Sequence, residues 1–319
     1  MDAYDTKILS LLFEDSRAPT TQIAKRVRLS REVVQYRIEK LQKEGIIKSF
    51  VTSIDYKRFG MHIFTVCLAL HKASQEQEQE MIDALAKNPH CTWIGPAAGA
   101  WNILIDAYAK SREQLDSAFS PFYEKYNHLI SNYRISEVET IATWFHKFVA
   151  PIKTQPARYI SYTTDDKDKQ LLLAVADNSR ASYVELGKAT KLTANACKYR
   201  LRNLEKAGVI QGYTLNIEPT VLGYQWYTVE LSTTETDAEL LRRFYRFCEA
   251  HKDIIFYYRM YRSGAGDFYL GFMVKTHLEL RRGLNELRQK FPGISVTNLF
   301  LPYEQATSHS LPPAVFQQR

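Results

Sequence analysis

Cysteine is sparse and scattered in this chain. Its four residues, Cys67, Cys91, Cys197 and Cys248, form no C-x-x-C pair and have no histidine at metal-ligand spacing. Neither a zinc ribbon nor a disulfide framework is encoded. Catalytic signatures are missing as well. There is no Walker loop, no H-E-x-x-H and no G-x-S-x-G. The eight histidines are dispersed, and Gly264-Ala265-Gly266 is too short to cradle a nucleotide. No apolar run reaches the length that spans a bilayer. The opening residues, Met1-Asp2-Ala3-Tyr4-Asp5, are acidic and carry no apolar signal region. The expectation is a soluble cytoplasmic protein without metal or cofactor, in which Cys67 and Cys197 are buried free thiols.

What is present is the composition of an ordinary globular chain of 319 residues, 45% hydrophobic, with a net charge of +7 and a pI near 9.0. That length allows roughly two to four domains. The positive balance suits a polyanion partner such as nucleic acid.

One pattern appears twice. Asp5 to Gly60 returns as Asp168 to Gly223 at a constant spacing of 163 residues (168 − 5 and 223 − 60). Ser16-Arg17-Ala18 recurs as Ser179-Arg180-Ala181, and Leu29-Ser30 as Leu192-Thr193. Tyr36-Arg37-Ile38, with Leu41, Lys43, Gly45 and Ile47, recurs as Tyr199-Arg200-Leu201, with Leu204, Lys206, Gly208 and Ile210. A duplication this long sets the architecture. Within the first copy, Ile8-Leu9 and Leu11-Leu12 give a helical stripe that breaks at Pro19. Thr20 or Thr21 caps a second helix carrying Ile23, Ala24 and Val27, and Ser30 caps a third. On that third helix Val34, Ile38 and Leu41 fall at i, i+4 and i+7, which buries one face and frees the other. Gly45 closes it. Ile46 to Val51 reads as a strand leading to a second one near Ile54, a small wing.

A second pattern follows each copy. Met61 to His71 is a strand, Gln75 to Lys87 a helix, and His90 to Pro96 with Trp101 to Ala109 a strand pair. Arg112 to Tyr126 is a helix and Ile130 to Trp144 a last strand. The order βαββαβ folds as a four-stranded antiparallel sheet with two helices on one face, and it recurs between Tyr224 and Leu301. The fold class is therefore α+β, with two winged helix-turn-helix domains (1–60 and 168–223) and two ferredoxin-like βαββαβ domains (61–145 and 224–305) in tandem. A linker covers 146–167 and a tail 306–319.

This arrangement resembles the Lrp/AsnC, or feast/famine, family of transcription regulators. The likeness is carried by Asp5-x-x-Ile8-Leu9, Ser16-Arg17, Leu29-Ser30, Tyr36-Arg37-Ile38-x-x-Leu41, Gly45-Ile46-Ile47 and Gly60, with their second copies. The family joins a winged helix-turn-helix to a βαββαβ ligand-sensing domain. The resemblance implies a regulator of operator DNA that responds to a small molecule, usually an amino acid. The chain departs from the family pattern in fusing two such units. It also keeps an aspartate after the sensing-domain turn glycine only as Asp267, with Asn102 in the first copy.

In this fold the third helix enters the major groove with its exposed N-terminal residues at base edges. In the first head these are Arg31, Glu32, Gln35 and Tyr36. Arg31 suits guanine O6 and N7, and Gln35 suits adenine N6 and N7. Arg37 and Lys40 are placed for phosphate, as are Lys25, Arg26 and Arg28. The second head offers Asn195, Lys198 and Tyr199, with Arg200 and Arg202 behind them and Lys188 and Lys191 before. The change from Arg31 to Ala194 points to heads that read different half-sites, or to a second head that reads less. The same charges also fit the solvated face of any amphipathic helix. Arg17 and Arg180 fit a DNA contact or, at least equally, a cap or ion pair on the first helix.

For an effector, the resemblance points to the turns of the sensing domains. Gly99 and Asn102 lie in the first, and Arg262, Gly264 and Asp267 in the second, with Asp267 suited to an ammonium and Arg262 to a carboxylate. A plain hairpin turn is the alternative. The two sensing domains are expected to pair with each other as a pseudo-dimer, and chains to assemble further as homo-oligomers. A rival reading comes from a branch of this architecture that resembles the siroheme decarboxylases of haem biosynthesis. Trp101-Asn102-Ile103-Leu104 partly echoes that branch, but no histidine lies between Gly95 and Ala100, which leaves Arg259 and Arg262 as the cations for such chemistry. A scaffold that has lost DNA binding is the third class.

Overall fold

The structure is a computed structural model and describes residues 1–148, 162–234, 237–261, 267–302, 307–308 and 311–316. The first repeat holds α1 (Ala3–Glu14), α2 (Thr20–Val27), α3 (Arg31–Lys43) and β1 (Ile47–Ile54). It continues through β2 (His62–Leu70), α4 (Gln75–Ala86), β3 (Cys91–Ala98), β4 (Ile103–Ala109), α5 (Arg112–Tyr126) and β5 (Ile130–Thr143). The second holds α6 (Asp166–Ala176), α7 (Tyr183–Thr190), α8 (Ala194–Lys206) and β6 (Ile210–Ile217). Its second part is β7 (Gln225–Thr233), α9 (Ala238–Ala250), β8 (Ile254–Met260), β9 (Phe268–Val274), α10 (His277–Lys290) and β10 (Ile294–Pro302), followed by the short strand β11 (Thr307–Ser308).

The two helix-turn-helix segments share one compact unit, which takes in Met1–Gly60, the described residues from 162 to 222 and residues 311–316. Each first helix starts on a capping box. Asp2 accepts from the N–H groups of Tyr4 and Asp5 while Asp5 accepts from Asp2 N–H, and Asp165 with Asp168 repeats the exchange at α6. The start of α2 differs from the expectation. Pro19, with no side-chain acceptor to offer, is the N-cap, and the Thr20 hydroxyl instead donates to Gln35 Oε1 at 3.2 Å. In each head the apolar faces meet: Ile8, Leu9 and Leu12 with Ile23, Val27, Val34, Ile38 and Leu41 are all buried in the first. Each such side chain stabilises by about 1.5–3 kcal/mol when removed from water. An exposed i,i+4 ion pair such as Lys40–Glu44 gives about 0.3–0.5 kcal/mol. Apolar contact therefore holds the heads together.

The wing is built otherwise than the sequence suggests. Each repeat supplies one strand, and β1 pairs antiparallel with β6, Phe50 opposite Leu215 and Val51 opposite Thr214. A lone strand leaves its backbone donors and acceptors unmatched. The strand of the other repeat satisfies them, so the heads share one two-stranded ribbon.

The βαββαβ segments form the other unit, Met61–Phe148 with Gly223–Ser308. Strand order is β5-β2-β4-β3 in the first half and β10-β7-β9-β8 in the second. Side-chain alternation decides the two faces of each sheet. Phe64, Val66 and Leu68 pack with Met81, Leu85 and Phe119 beneath α4 and α5. Val229, Leu231, Leu270 and Phe272 pack with Phe244 and Leu287 beneath α9 and α10. The alternate residues, such as Thr65 and Cys67, fall on the opposite face. The halves also join edge to edge: β5 pairs with β8, Ile141 opposite Tyr258, and β10 pairs with β3 at Leu301–Ala98 and Pro302–Ala97. Each of the eight strands thus has a neighbour on both sides. All four cysteines are buried free thiols.

Candidate nucleic-acid interface

α3 and α8 are built alike. Ser30 Oγ accepts from Val33 N–H at 3.2 Å, and Thr193 Oγ1 accepts from Ala196 N–H at 3.2 Å, which satisfies donors a helix start leaves open. Gly45 and Gly208, at φ +74 and +72, end both helices in a left-handed turn that a β-carbon opposes. Val34, Ile38 and Leu41 are buried, as are Cys197, Leu201 and Leu204, so the other face of each helix is turned outward. On α3 that face carries Arg31, Glu32, Gln35, Tyr36 and Lys40, and on α8 Asn195, Lys198, Tyr199 and Arg202, all exposed. Tyr36 and Tyr199, one repeat apart, are 66% and 68% exposed, large aromatics given no core to cover. Backbone N–H and the Ser30 hydroxyl hold the Glu32 carboxyl below its usual range. Gln35 Nε2 donates to Glu39 Oε1 at 2.8 Å, a bond that an adenine contact has to replace.

Arg37 and Arg200 depart from their expected place. Arg37 Nη1 donates to Asp5 Oδ1 at 2.7 Å and Asp2 Oδ2 at 2.8 Å. Arg200 Nη1 donates to Asp168 and Asp165 at 2.8 Å each. These carboxylates push both guanidinium groups above their ordinary range. The two arginines tie the third helix to the capping box of the first instead of standing free for phosphate. Arg26 is likewise paired, with Glu14 at 2.6 Å.

Arg17 and Arg180, left undecided by the sequence, cross between the heads. Arg17 Nη1 donates to the carbonyls of Ser179 and Ala181, and Arg180 Nη1 to those of Ser16 and Ala18 at 2.7 and 3.3 Å. Burial lowers the Arg180 pKa from its ordinary value. Arg17 lies over the ring of Tyr183, and Arg180 over Phe50. The two are related by the repeat, so the exchange is symmetric.

The turn residues do structural work in both βαββαβ halves. Asn102 Oδ1 accepts from Leu70 N–H at 2.8 Å, and Asp267 Oδ2 accepts from Thr233 N–H at 2.7 Å. Their own N–H groups donate to Leu68 and Leu231, each at 2.8 Å. Asparagine can stand where the second copy has aspartate because one acceptor oxygen serves this tie. At Gly99, φ is +135 and a β-carbon would lie 2.7 Å from the Leu299 carbonyl oxygen, so β10 of the other half requires glycine there. Arg262 and Gly264 lie outside the described residues. Arg259, a cation on which decarboxylase chemistry would depend, is paired with Glu139. Tyr257 is core, at 2% exposure. Among the described residues no helix is long and apolar enough to cross a membrane, and no group of three or more His, Cys, Asp and Glu side chains is set to hold a metal ion.

Comparison with known proteins agrees with this geometry. A family model for winged helix-turn-helix DNA-binding domains matches residues 1–48 and again 164–211. An HTH-type transcriptional regulator of Pyrococcus furiosus is 32% identical over 116 residues, 36% of this chain and 77% of that protein. The HTH-type transcriptional regulator FL11 of Pyrococcus horikoshii is 29% identical over 117 residues, 37% of this chain and 76% of its own. Among solved structures, the siroheme decarboxylase NirDL matches 97% of this chain and 94% of its own length at a TM-score of 0.64 and 13% identity, a likeness of fold. The duplicated DNA-binding domain and the regulator relatives show that the chain belongs to the winged helix-turn-helix family of HTH-type transcriptional regulators.

Proposed function

We propose that this regulator reads operator DNA with two non-identical heads on one chain and changes its affinity or assembly when a small metabolite binds. The observation that carries the reading is the pair of capped third helices, anchored by an apolar face, that turn Arg31, Glu32, Gln35, Tyr36 and Lys40, and Asn195, Lys198, Tyr199 and Arg202, to solvent. Arg31 and Gln35 match the edges of guanine and adenine. Lys40, Lys198 and Arg202 meet phosphate. Because the two sets differ while both heads share one compact unit, the half-sites they read differ in sequence. The effector is an amino acid or related compound held at the sensing-domain turns, its ammonium at the Asp267 oxygen not bonded to Thr233. Chains assemble further as homo-oligomers.

Selection of bound duplexes from a random pool, with the winners titrated against salt, tests the reading. A defined motif with two unequal halves and a steep negative salt slope is the expected result. Absence of enrichment refutes it, and tight binding of siroheme in that case supports the decarboxylase reading in its place.

A further inference from the structure

We infer that the sheet face on which the two βαββαβ halves meet is built to accept the other half and to reject a copy of itself. The repeat makes the comparison direct. In the first half Cys67 stands in register with Leu104 and Arg134 across three strands. In the second, Glu230 stands in register with Tyr269 and Asn298. These two rows are equivalent by position and face each other. Arg134 Nη1 donates to Glu230 Oε1 at 2.9 Å and Arg134 Nη2 to Oε2 at 2.6 Å, with the Tyr269 hydroxyl also in contact. Asn298 Nδ2 donates to Glu230 Oε2 at 3.1 Å, and Cys67 Sγ is 3.8 Å from Tyr269 Oη. The Glu230 side chain is 2% exposed and that of Arg134 17%, so the carboxylate has no water to fall back on and the guanidinium has little.

Exchange either row for a second copy of its opposite and the match is lost. Two first halves would set two Arg134 side chains among Cys67 and Leu104, with no carboxylate in the row. Two second halves would bury two Glu230 carboxylates with only neutral donors. Uncompensated like charges at a buried contact are strongly disfavoured, and a repulsive element of this kind is how one partner is selected over another.

A second place on the same interface repeats the logic with different groups. Tyr258 Oη of the second half donates to Asp106 Oδ2 of the first at 3.0 Å. The repeat equivalents are Gly95, opposite Leu104 in the β3–β4 ladder, and Gly271, opposite Phe256 in the β8–β9 ladder. A β-carbon at either glycine would fall within a neighbouring ring, Trp93 or Phe256. Like-with-like pairing leaves Asp106 with only the Thr65 hydroxyl of its own half and gives Tyr258 no acid. The surface therefore takes one partner, the complementary half of the same chain, and the fused polypeptide closes on itself.

The test uses full-length chains carrying Arg134→Glu, Glu230→Arg, or both changes together. Each single variant buries two like charges and lowers the unfolding midpoint by about 10 °C, whereas the exchanged double variant returns close to wild type. Co-expressed under two tags, the two single variants co-purify well above the level wild-type chains show, because each mismatched half finds its complement on the other chain. Neither single variant does so with itself. Singles that melt with wild type, or a double variant as unstable as either single, overturn the inference. Restored stability in the double variant without enhanced co-purification of the mixed singles also overturns it, since the pair is then a stabilising contact that selects no partner.

Discussion

Ser16 Oγ lies 2.5 Å from Ser179 Oγ, and both side chains are fully buried. The two residues are the same position of the repeat, 163 residues apart. Each also donates its N–H to the shared ribbon, Ser16 to Tyr213 O at 3.0 Å and Ser179 to Phe50 O at 2.7 Å. The axis that relates the two heads passes between these hydroxyls, with Arg17 and Arg180 crossing on either side.

Removing one of the hydroxyls strands the other away from water. Ser16→Ala is expected to destabilise by about 1–3 kcal/mol. The double variant Ser16→Ala/Ser179→Ala costs less than the sum of the singles, since no orphan remains. Denaturant unfolding of the four proteins measures the coupling, and strict additivity would refute the direct bond.

Arg37→Ala and Arg200→Ala each lower the unfolding midpoint by a few degrees, about 3 °C, because the third helix loses its tie to Asp2 and Asp5 or to Asp165 and Asp168. Salt slopes of DNA binding are expected to stay as in wild type, because both guanidinium groups are already paired with carboxylates. A slope reduced by about one unit on either variant would return that arginine to the DNA contacts.

Arg31→Ala relaxes preference at one base position by roughly 1–3 kcal/mol, whereas Lys40→Ala weakens all duplexes alike. Competition binding against single-base operator variants separates the two behaviours. An unchanged preference profile in the Arg31 variant would remove it from the reading face.

Burial raises the Asp106 carboxyl from 3.8 to about 6, partly offset by the hydroxyls of Tyr258 and Thr65. Between those values the folded state binds more protons than the unfolded one, so this group's contribution to stability falls as pH rises through that window and is level above it. Asp106→Asn is therefore expected to be more stable than wild type at pH 7.5, by on the order of 2 kcal/mol, and the gap closes near pH 4. Unfolding midpoints across pH for the two proteins check the sign.

The helices were legible because their signals are local. Ser30 and Thr193 at the caps, Gly45 and Gly208 at the stops and the i, i+4, i+7 apolar stripe each act within a few residues. The wing was misread because strand pairing is decided at long range, and nothing inside residues 46–60 shows that β1 is completed by β6. Arg37 and Arg200 looked like surface cations when each helix was read alone. The signal that exposes them was present: Asp2, Asp5 and Arg37 return together as Asp165, Asp168 and Arg200, and a charge triplet kept in both copies marks a contact. The tie made by Asn102 and Asp267 leaves no such signal, because its donors are the backbone N–H groups of Leu70 and Thr233.

The strand seams of the protein, β1 with β6, β5 with β8 and β10 with β3, join unlike strands of one polypeptide. In an assembly of identical chains, a substitution on the axis arrives on both sides at once and confronts itself. Here one codon alters one side only. A mutational scan of the gene samples the two faces of each seam separately. The Arg134–Glu230 pair, with Asn298 and Cys67 at the equivalent positions, is present once, where identical subunits would carry such a pair twice or not at all.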